Sequence, residues 1–221
     1  MRRLIYPDRC LFCGRLVKEE EVCSSCSKHI IELTAEICPR CGASPENCSC
    51  INRDFSFVRN VSAFSYEGAP RTMLLRYKQR NRPQLHHFIA RRMYFHIEAR
   101  IGTDFDRIVY VPQSAKSFRK RGYCPSQLLA KELEGYLNVP MVSVLKRVGN
   151  LQQKYVKHHD RWSNAKQNYA LRSDAKISGK VLLVDDLFTT GATLNACAEL
   201  LRQAGAESVY AATFAIAAKK G

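Results

Sequence analysis

A chain of 221 residues with 46% hydrophobic content calls for one medium, packed domain plus a small appendage, and its formal charge of +15 favours polyanion partners, nucleic acid or phosphorylated ligands. No run approaches the roughly eighteen apolar residues of a membrane span. The start, Met1-Arg-Arg-Leu-Ile-Tyr-Pro7, lacks the apolar core of a signal peptide, so a cytoplasmic protein is expected.

Residues 1–52 are read as a cysteine domain. Eight of the ten cysteines fall there, in four close pairs: Cys10/Cys13, Cys23/Cys26, Cys38/Cys41 and Cys48/Cys50. Two residues between cysteines let both thiolates reach one ion from a tight turn, and four thiolates close a structural zinc site with no open position. Gly14 and Gly42 follow the second cysteine of their pairs, as zinc knuckles often require. Two zinc ions are therefore expected, and the metal supplies stability that so few apolar residues cannot. The sequential grouping, Cys10/Cys13/Cys23/Cys26 and Cys38/Cys41/Cys48/Cys50, closes each site locally and is preferred to an interleaved one. The tight Cys48-x-Cys50 spacing marks the second site as the weaker. Four disulfides fit poorly without an export signal, and an iron–sulfur cluster is a smaller alternative. His29 could replace a ligand but reads as a surface residue.

Residues 53–221 are read as the main domain. The aromatics from Phe55 to Tyr66 suggest one or two strands, and Tyr66-Glu-Gly-Ala-Pro70 a turn. A helix follows, with Met73, Leu74 and Tyr77 inward and Arg71, Arg76, Lys78 and Arg80 outside. A second helix runs from about Gln84 to Ile101. Its adjacent His86 and His87 face different ways and read as surface residues. Asp106–Pro112 reads as the first strand of the sheet. The loop Gln113–Tyr123 then brings Gln113, Ser114, Lys116, Arg119 and Arg121 to the sheet's carboxyl end. Ser126–Leu137 is a helix and Pro140–Leu145 a second strand. The basic stretch Arg147–Asn164 is long enough to be functional. Its Lys154, Lys157 and Arg161 are anion-binding candidates, His158, His159 and Asp160 a weak metal or acid–base cluster, and Trp162 a packing anchor.

Val181–Val184 is an apolar run that reads as a buried parallel strand. Asp185 and Asp186 follow, then Thr189-Thr-Gly-Ala-Thr193, then a helix from Leu194. A Thr/Gly turn at a strand's carboxyl end, opening a helix, offers hydroxyls and free N–H groups to a phosphate. The carboxylates suit sugar hydroxyls or magnesium. Ser208–Ile216 is the last strand.

Val181–Thr193 resembles the loop of type I phosphoribosyltransferases that binds 5-phosphoribosyl pyrophosphate (PRPP); Phe188 stands where an aliphatic residue is usual. The resemblance implies an α/β fold: a parallel sheet flanked by helices, here with a small N-terminal zinc-knuckle domain. It implies PRPP held by Asp185, Asp186, Thr189, Thr190, Gly191, Ala192 and Thr193, with Mg(2+) bound alongside PRPP and Asp185 and Asp186 as the catalytic candidates. It also implies pyrophosphate on the Gln113–Tyr123 loop and a mobile cover at 147–164. The whole chain resembles the ComF-type competence proteins through the cysteine pairs, Tyr66-Glu-Gly-Ala-Pro70, Lys78, Val111-Pro112, Arg119-x-Arg-Gly-Tyr123, Gln153, Arg161, Asn164 and Ala204-Gly-Ala206. Where that family usually has Asn-Gln, this chain has Cys124-Pro125, so an amide pair is absent. The resemblance implies assistance to uptake of single-stranded DNA in natural transformation, with a helicase-like competence ATPase, at the inner face of the membrane through partners. The competing reading is an active phosphoribosyltransferase with an unknown acceptor. No base-recognition motif follows Ile216, which favours binding over turnover.

Overall fold

The computed structural model describes residues 8–18, 20–30, 33, 37–48, 50, 54–79, 82–148, 165, 167–173 and 175–217. Its elements begin with α1 (Ser24–Ser27), β1 (Asn60–Ser65), α2 (Gly68–Gln79), α3 (Leu85–Ile101), β2 (Arg107–Tyr110), α4 (Ala115–Arg121) and α5 (Pro125–Leu137). They continue with β3 (Met141–Val142), β4 (Leu145–Arg147), β5 (Tyr169–Leu171), β6 (Lys180–Phe188), α6 (Ala192–Gln203) and β7 (Ser208–Ile216). One five-stranded sheet runs in the order β1-β7-β6-β2-β3, and every pairing in it is parallel. β4 and β5 form a separate antiparallel pair.

A parallel sheet is buried on both faces, so its central strands must be apolar on both. β6 meets this with Val181, Leu182, Leu183 and Val184, all fully buried. Because side chains alternate along a strand, Leu182 and Val184 join a core with Met73, Leu74 and Tyr77 of α2, Ile89, Met93 and Ile97 of α3, and Leu129 and Leu133 of α5. Val181 and Leu183 join the opposite core with Leu194, Cys197 and Leu201 of α6, and Leu145 and Tyr169 of the small pair. Each buried aliphatic side chain contributes on the order of 1.5–3 kcal/mol. The parallel α/β sheet flanked by helices is the expected fold.

Several elements differ from the sequence reading. The Asp106–Pro112 strand is not first: β1 precedes it and lies at the sheet's far edge beside β7. The expected Pro140–Leu145 strand divides, with β3 ending the sheet and β4 turning away to pair with β5. The basic loop 113–123 contains a helix, α4. Ser114 caps it by accepting from the Ser117 N–H at 3.2 Å, and Gly122 ends it in the left-handed conformation. β6 runs on to Phe188, so Asp185 and Asp186 belong to the strand. The charged face of α2 is not solvated as expected. Arg76 donates to the carbonyls of Cys10, Leu11 and Phe12 at 3.1, 2.9 and 3.0 Å. Lys78 turns into the sheet's carboxyl end.

Candidate functional site

Adjacent residues on a strand face opposite sides. Asp186 therefore points to the α2/α3/α5 side, where Lys78 Nζ lies 2.7 Å from its Oδ1. Burial opposes the charge on Lys78, but Asp186 and Asp185 outweigh it and hold the ammonium above its ordinary range. Asp185 accepts from the Asp186 N–H at 2.9 Å and is partly open to the cleft. Burial first, then the Asp186 carboxylate, push the Asp185 carboxyl up to about 7 against the pull of Lys78. The strand end thus offers one firmly paired carboxylate and one poised near neutrality.

These groups open into a cleft of about 360 Å³, within the usual range for small-ligand sites. Gln113, Ser114, Ser117 and Arg121 line one wall, Thr189 and Thr193 another, and Arg147 and Tyr169 a third. Arg121 is pinned: it donates to the Lys78 carbonyl and to Gln113 Oε1, both at 2.7 Å. Gln113 in turn donates to the Tyr123 carbonyl at 2.5 Å. An amide therefore does hold this segment, from Gln113. Cys124 is buried, its sulfur 3.3 Å from Ser126 Oγ, and Pro125 opens α5.

The Thr/Gly turn is fixed from behind. Gly191 caps α6 with φ +78, and a Cβ there would lie 2.8 Å from both the Phe188 and Phe55 rings. Phe55, Phe57 and Phe188 pack together, with centroids 4.5–6.4 Å apart. The aromatic at 188 thus has a packing role. The first-turn N–H groups of α6 lack intrahelical partners by construction and carry the positive end of the helix dipole.

A second groove of about 370 Å³ lies behind α4 and shares Pro112, Gln113 and Arg147 with the cleft. Arg119, Lys146 and Arg172 line it beside Phe118, which is 48% exposed. None of these three cations pairs with a carboxylate among the described residues.

The cysteines form two groups, Cys10/Cys13/Cys23/Cys26 and Cys38/Cys41/Cys48/Cys50, the sulfurs of each all within 4.8 Å of one another. Burial opposes ionisation of Cys10, yet the N–H groups of Cys23, Cys13 and Phe12 draw its thiol down to about 6. Burial and the sulfurs of Cys13, Cys23 and Cys10 push Cys26 up. Cys38 and Cys41 repeat that contrast. Four crowded sulfurs that cannot all ionise alone fit a tetrahedral cation, which stabilises every thiolate at once. Gly42 carries φ +76, and a Cβ there would meet the Asn60 carbonyl at 2.6 Å, so this knuckle seats directly on β1. His29 lies outside both groups.

A family model described as a double zinc ribbon domain matches residues 1–52, and one described as a phosphoribosyl transferase domain matches residues 119–221. Competence protein F of Haemophilus influenzae is 28% identical over 216 residues, covering 91% of this chain and 93% of that protein. Competence protein ComFC of Bacillus subtilis is 27% identical over 209 residues, covering 86% and 81%. DNA utilization protein YhgH of Escherichia coli K12 is 27% identical over 200 residues, covering 85% and 87%. The chain resembles these ComF-type proteins over most of its length. The cysteine groups and the zinc ribbon match together indicate structural zinc.

The residues expected to bind ligand divide. The cleft gathers Asp185, Asp186, Thr189, Thr193, Gln113, Ser114 and Arg121. Thr190, Gly191 and Ala192 do not line it; Thr190 Oγ1 instead accepts from the Ala192 N–H at 3.4 Å. Lys116 lines neither cavity, and Arg119 lines the second groove. Lys154, Lys157, His158, His159, Asp160, Arg161 and Trp162 lie outside the described residues, as do Gln153 and Asn164. Sequence reasoning missed Lys78, Arg147 and Tyr169 as cleft residues. Lys78 also precedes the matched phosphoribosyl transferase segment. Its only signal was its place in the ComF-type resemblance. Among the described residues, no helix is long and apolar enough to cross a membrane.

Proposed function

We propose that this chain is a PRPP-binding competence protein that assists the uptake of single-stranded DNA during natural transformation. One observation carries the reading. Asp185 and Asp186 end β6 beside the N-terminus of α6, in a cleft that also holds Lys78, Arg121 and Arg147. The acid pair suits the ribose hydroxyls. The turn at Thr189–Thr193 suits the 5′-phosphate. Gln113, Ser114 and Arg121 suit pyrophosphate, and magnesium bound with PRPP would offset the remaining charge between ligand and carboxylates. The DNA role is supported by the competence and DNA utilization names of the relatives, by the +15 charge and by the cations of the second groove, which pair with no carboxylate among the described residues. The protein would act on the cytoplasmic side with a helicase-like ATPase.

Calorimetric titration with PRPP and magnesium tests the first part. Wild type should bind, and Asp185→Asn/Asp186→Asn should weaken binding at least about tenfold, roughly 1.4 kcal/mol. Wild type that binds no PRPP sinks the proposal. Pyrophosphate release with any acceptor, abolished in the double variant, would instead establish a transferase. Affinity for single-stranded DNA should fall linearly with the logarithm of salt, with a shallower slope in Arg119→Ala/Lys146→Ala/Arg172→Ala. Absence of binding at low salt removes the DNA role.

A further inference from the structure

We propose that His86, His87 and Glu132 form a third metal site, an exchangeable one for a transition-metal ion, that clamps α3 to α5. It is independent of the cysteine groups and of the cleft. His87 Nδ1 lies 3.0 Å from Glu132 Oε1, and His86 Nε2 lies 3.5 Å from Glu132 Oε2. One donor atom from each residue falls within 4.8 Å of the other two. A tetrahedral ion with bonds of about 2.1 Å holds its ligands about 3.4 Å apart, so the side chains need to shift only slightly.

Two of the three ligands are already oriented. His86 Nδ1 is 2.7 Å from the Pro83 carbonyl. A carbonyl only accepts, so Nδ1 donates to it, and Nε2 is the ring nitrogen that faces Glu132. The Tyr136 hydroxyl, one turn further along α5, interacts with the Glu132 carboxylate. The Tyr136 ring stacks on Tyr94 of α3 at 5.4 Å. Outer partners of this kind, a carbonyl behind a histidine and a hydroxyl behind a carboxylate, are what metal ligands ordinarily have.

The donor set selects the ion. Two imidazoles and one carboxylate suit zinc, cobalt, nickel or copper and not magnesium or calcium. His86 and Glu132 side chains are 19% and 25% exposed, whereas His87 is 64% exposed. The fourth position therefore opens to solvent, and the ion exchanges where the closed cysteine sites would not. Arg91, the nearby cation on α3, is engaged with Glu21 at 2.6 Å.

The test uses the full chain with its ribbon zinc in place, titrated with Co(2+) and read by calorimetry and visible absorption. About one further ion per chain should bind, with ligand-field bands but no thiolate charge-transfer band in the near ultraviolet. His87→Ala and Glu132→Gln should abolish this uptake. Tyr136→Phe, which leaves all three ligands intact, should weaken it about 10–100-fold. Unchanged circular dichroism in each variant separates loss of the site from loss of the fold. Three outcomes overturn the proposal: no cobalt uptake by wild type, uptake carrying thiolate charge transfer, or uptake equal in wild type and variants. In the first case the trio is a histidine–carboxylate contact only.

Discussion

The two cysteine groups look like repeats in the sequence, but they seal opposite faces of the sheet. Cys10, Cys23, Cys26 and the fully buried Phe12 belong to the core under α2, α3 and α5. Cys41, Cys50 and Ala43 belong to the core on the α6 side. The first group is gripped by a helix: Arg76 takes three consecutive carbonyls, and Phe12 meets Phe64 and Phe88 edge-on at 6.4 and 5.5 Å. The second is seated on a strand: Asn60 Nδ2 donates to the Cys41 carbonyl at 2.9 Å, and the Asn60 N–H donates to the Arg40 carbonyl. Together they bracket β1, which would otherwise be an open sheet edge. Similar ligand sets therefore have unequal structural weight, and that inequality can be measured.

The largest effect is expected from the metal ligands. Cys10→Ser should cost more than about 4 kcal/mol in urea unfolding, with zinc content falling by about one ion per chain, because the ligand loss also frees Phe12 from the core. Cys48→Ser, at the site with the tighter spacing, should cost clearly less. Equal costs would show the two groups to be equivalent and break the contrast.

The anchors come next. Arg76→Ala should cost roughly 2–3 kcal/mol, since it strips a charged donor from three carbonyls. Asn60→Ala should cost less than about 1 kcal/mol, because Asn60 Oδ1 is buried without a partner among the described residues and that debit vanishes with the side chain. Limited proteolysis should release the first ribbon in Arg76→Ala and leave the second protected. Release of both would mean that the ribbons move as one body.

The two faces meet at the acid pair, and there the expected effect is set by pH. Folding raises the Asp185 carboxyl from 3.8 to about 7. A carboxyl raised on folding contributes its stability in full below its unfolded value and loses it as pH rises through the folded one. Wild type should therefore lose stability between about pH 4 and pH 7. Asp185→Asn should show a flatter profile and exceed wild type above pH 7, as thermal unfolding across that range would reveal. A wild-type profile that is flat there would show Asp185 ionised throughout. The smallest effect is expected from Thr193→Val, which removes one hydroxyl from the cleft wall. It should weaken PRPP binding by about tenfold or less, roughly 1 kcal/mol, with stability unchanged.

What could be read from the sequence was local. The strand, acid pair and Thr/Gly turn at Val181–Thr193 form one contiguous unit, and the cysteine pairs announce themselves by spacing. The helices α2, α3, α5 and α6 follow from apolar periodicity. What could not be read depends on where elements meet. Lys78 sits among Arg71, Arg76 and Arg80, and charge alone puts all four outside the apolar face of the helix. Only packing of α2 against the end of β6 turns Lys78 toward Asp186. Arg147 opens a basic run that reads as loop, and its place in the cleft is set by pairing with Tyr169 across β4 and β5. The helix in 113–123 was hidden by a basic composition that suits a helix as well as a loop.

That small antiparallel pair has a consequence for how such proteins diversify. Arg147 and Tyr169 are direct partners across β4 and β5, and the Val148 N–H donates to the Asn168 carbonyl at 3.0 Å. Both gateposts line the cleft. Insertions between them leave the register of the main sheet untouched, and doubling the length of such a segment costs only about 0.6 kcal/mol in closure entropy. Related chains should therefore differ more in the length of sequence between these two residues than within the strands of the main sheet.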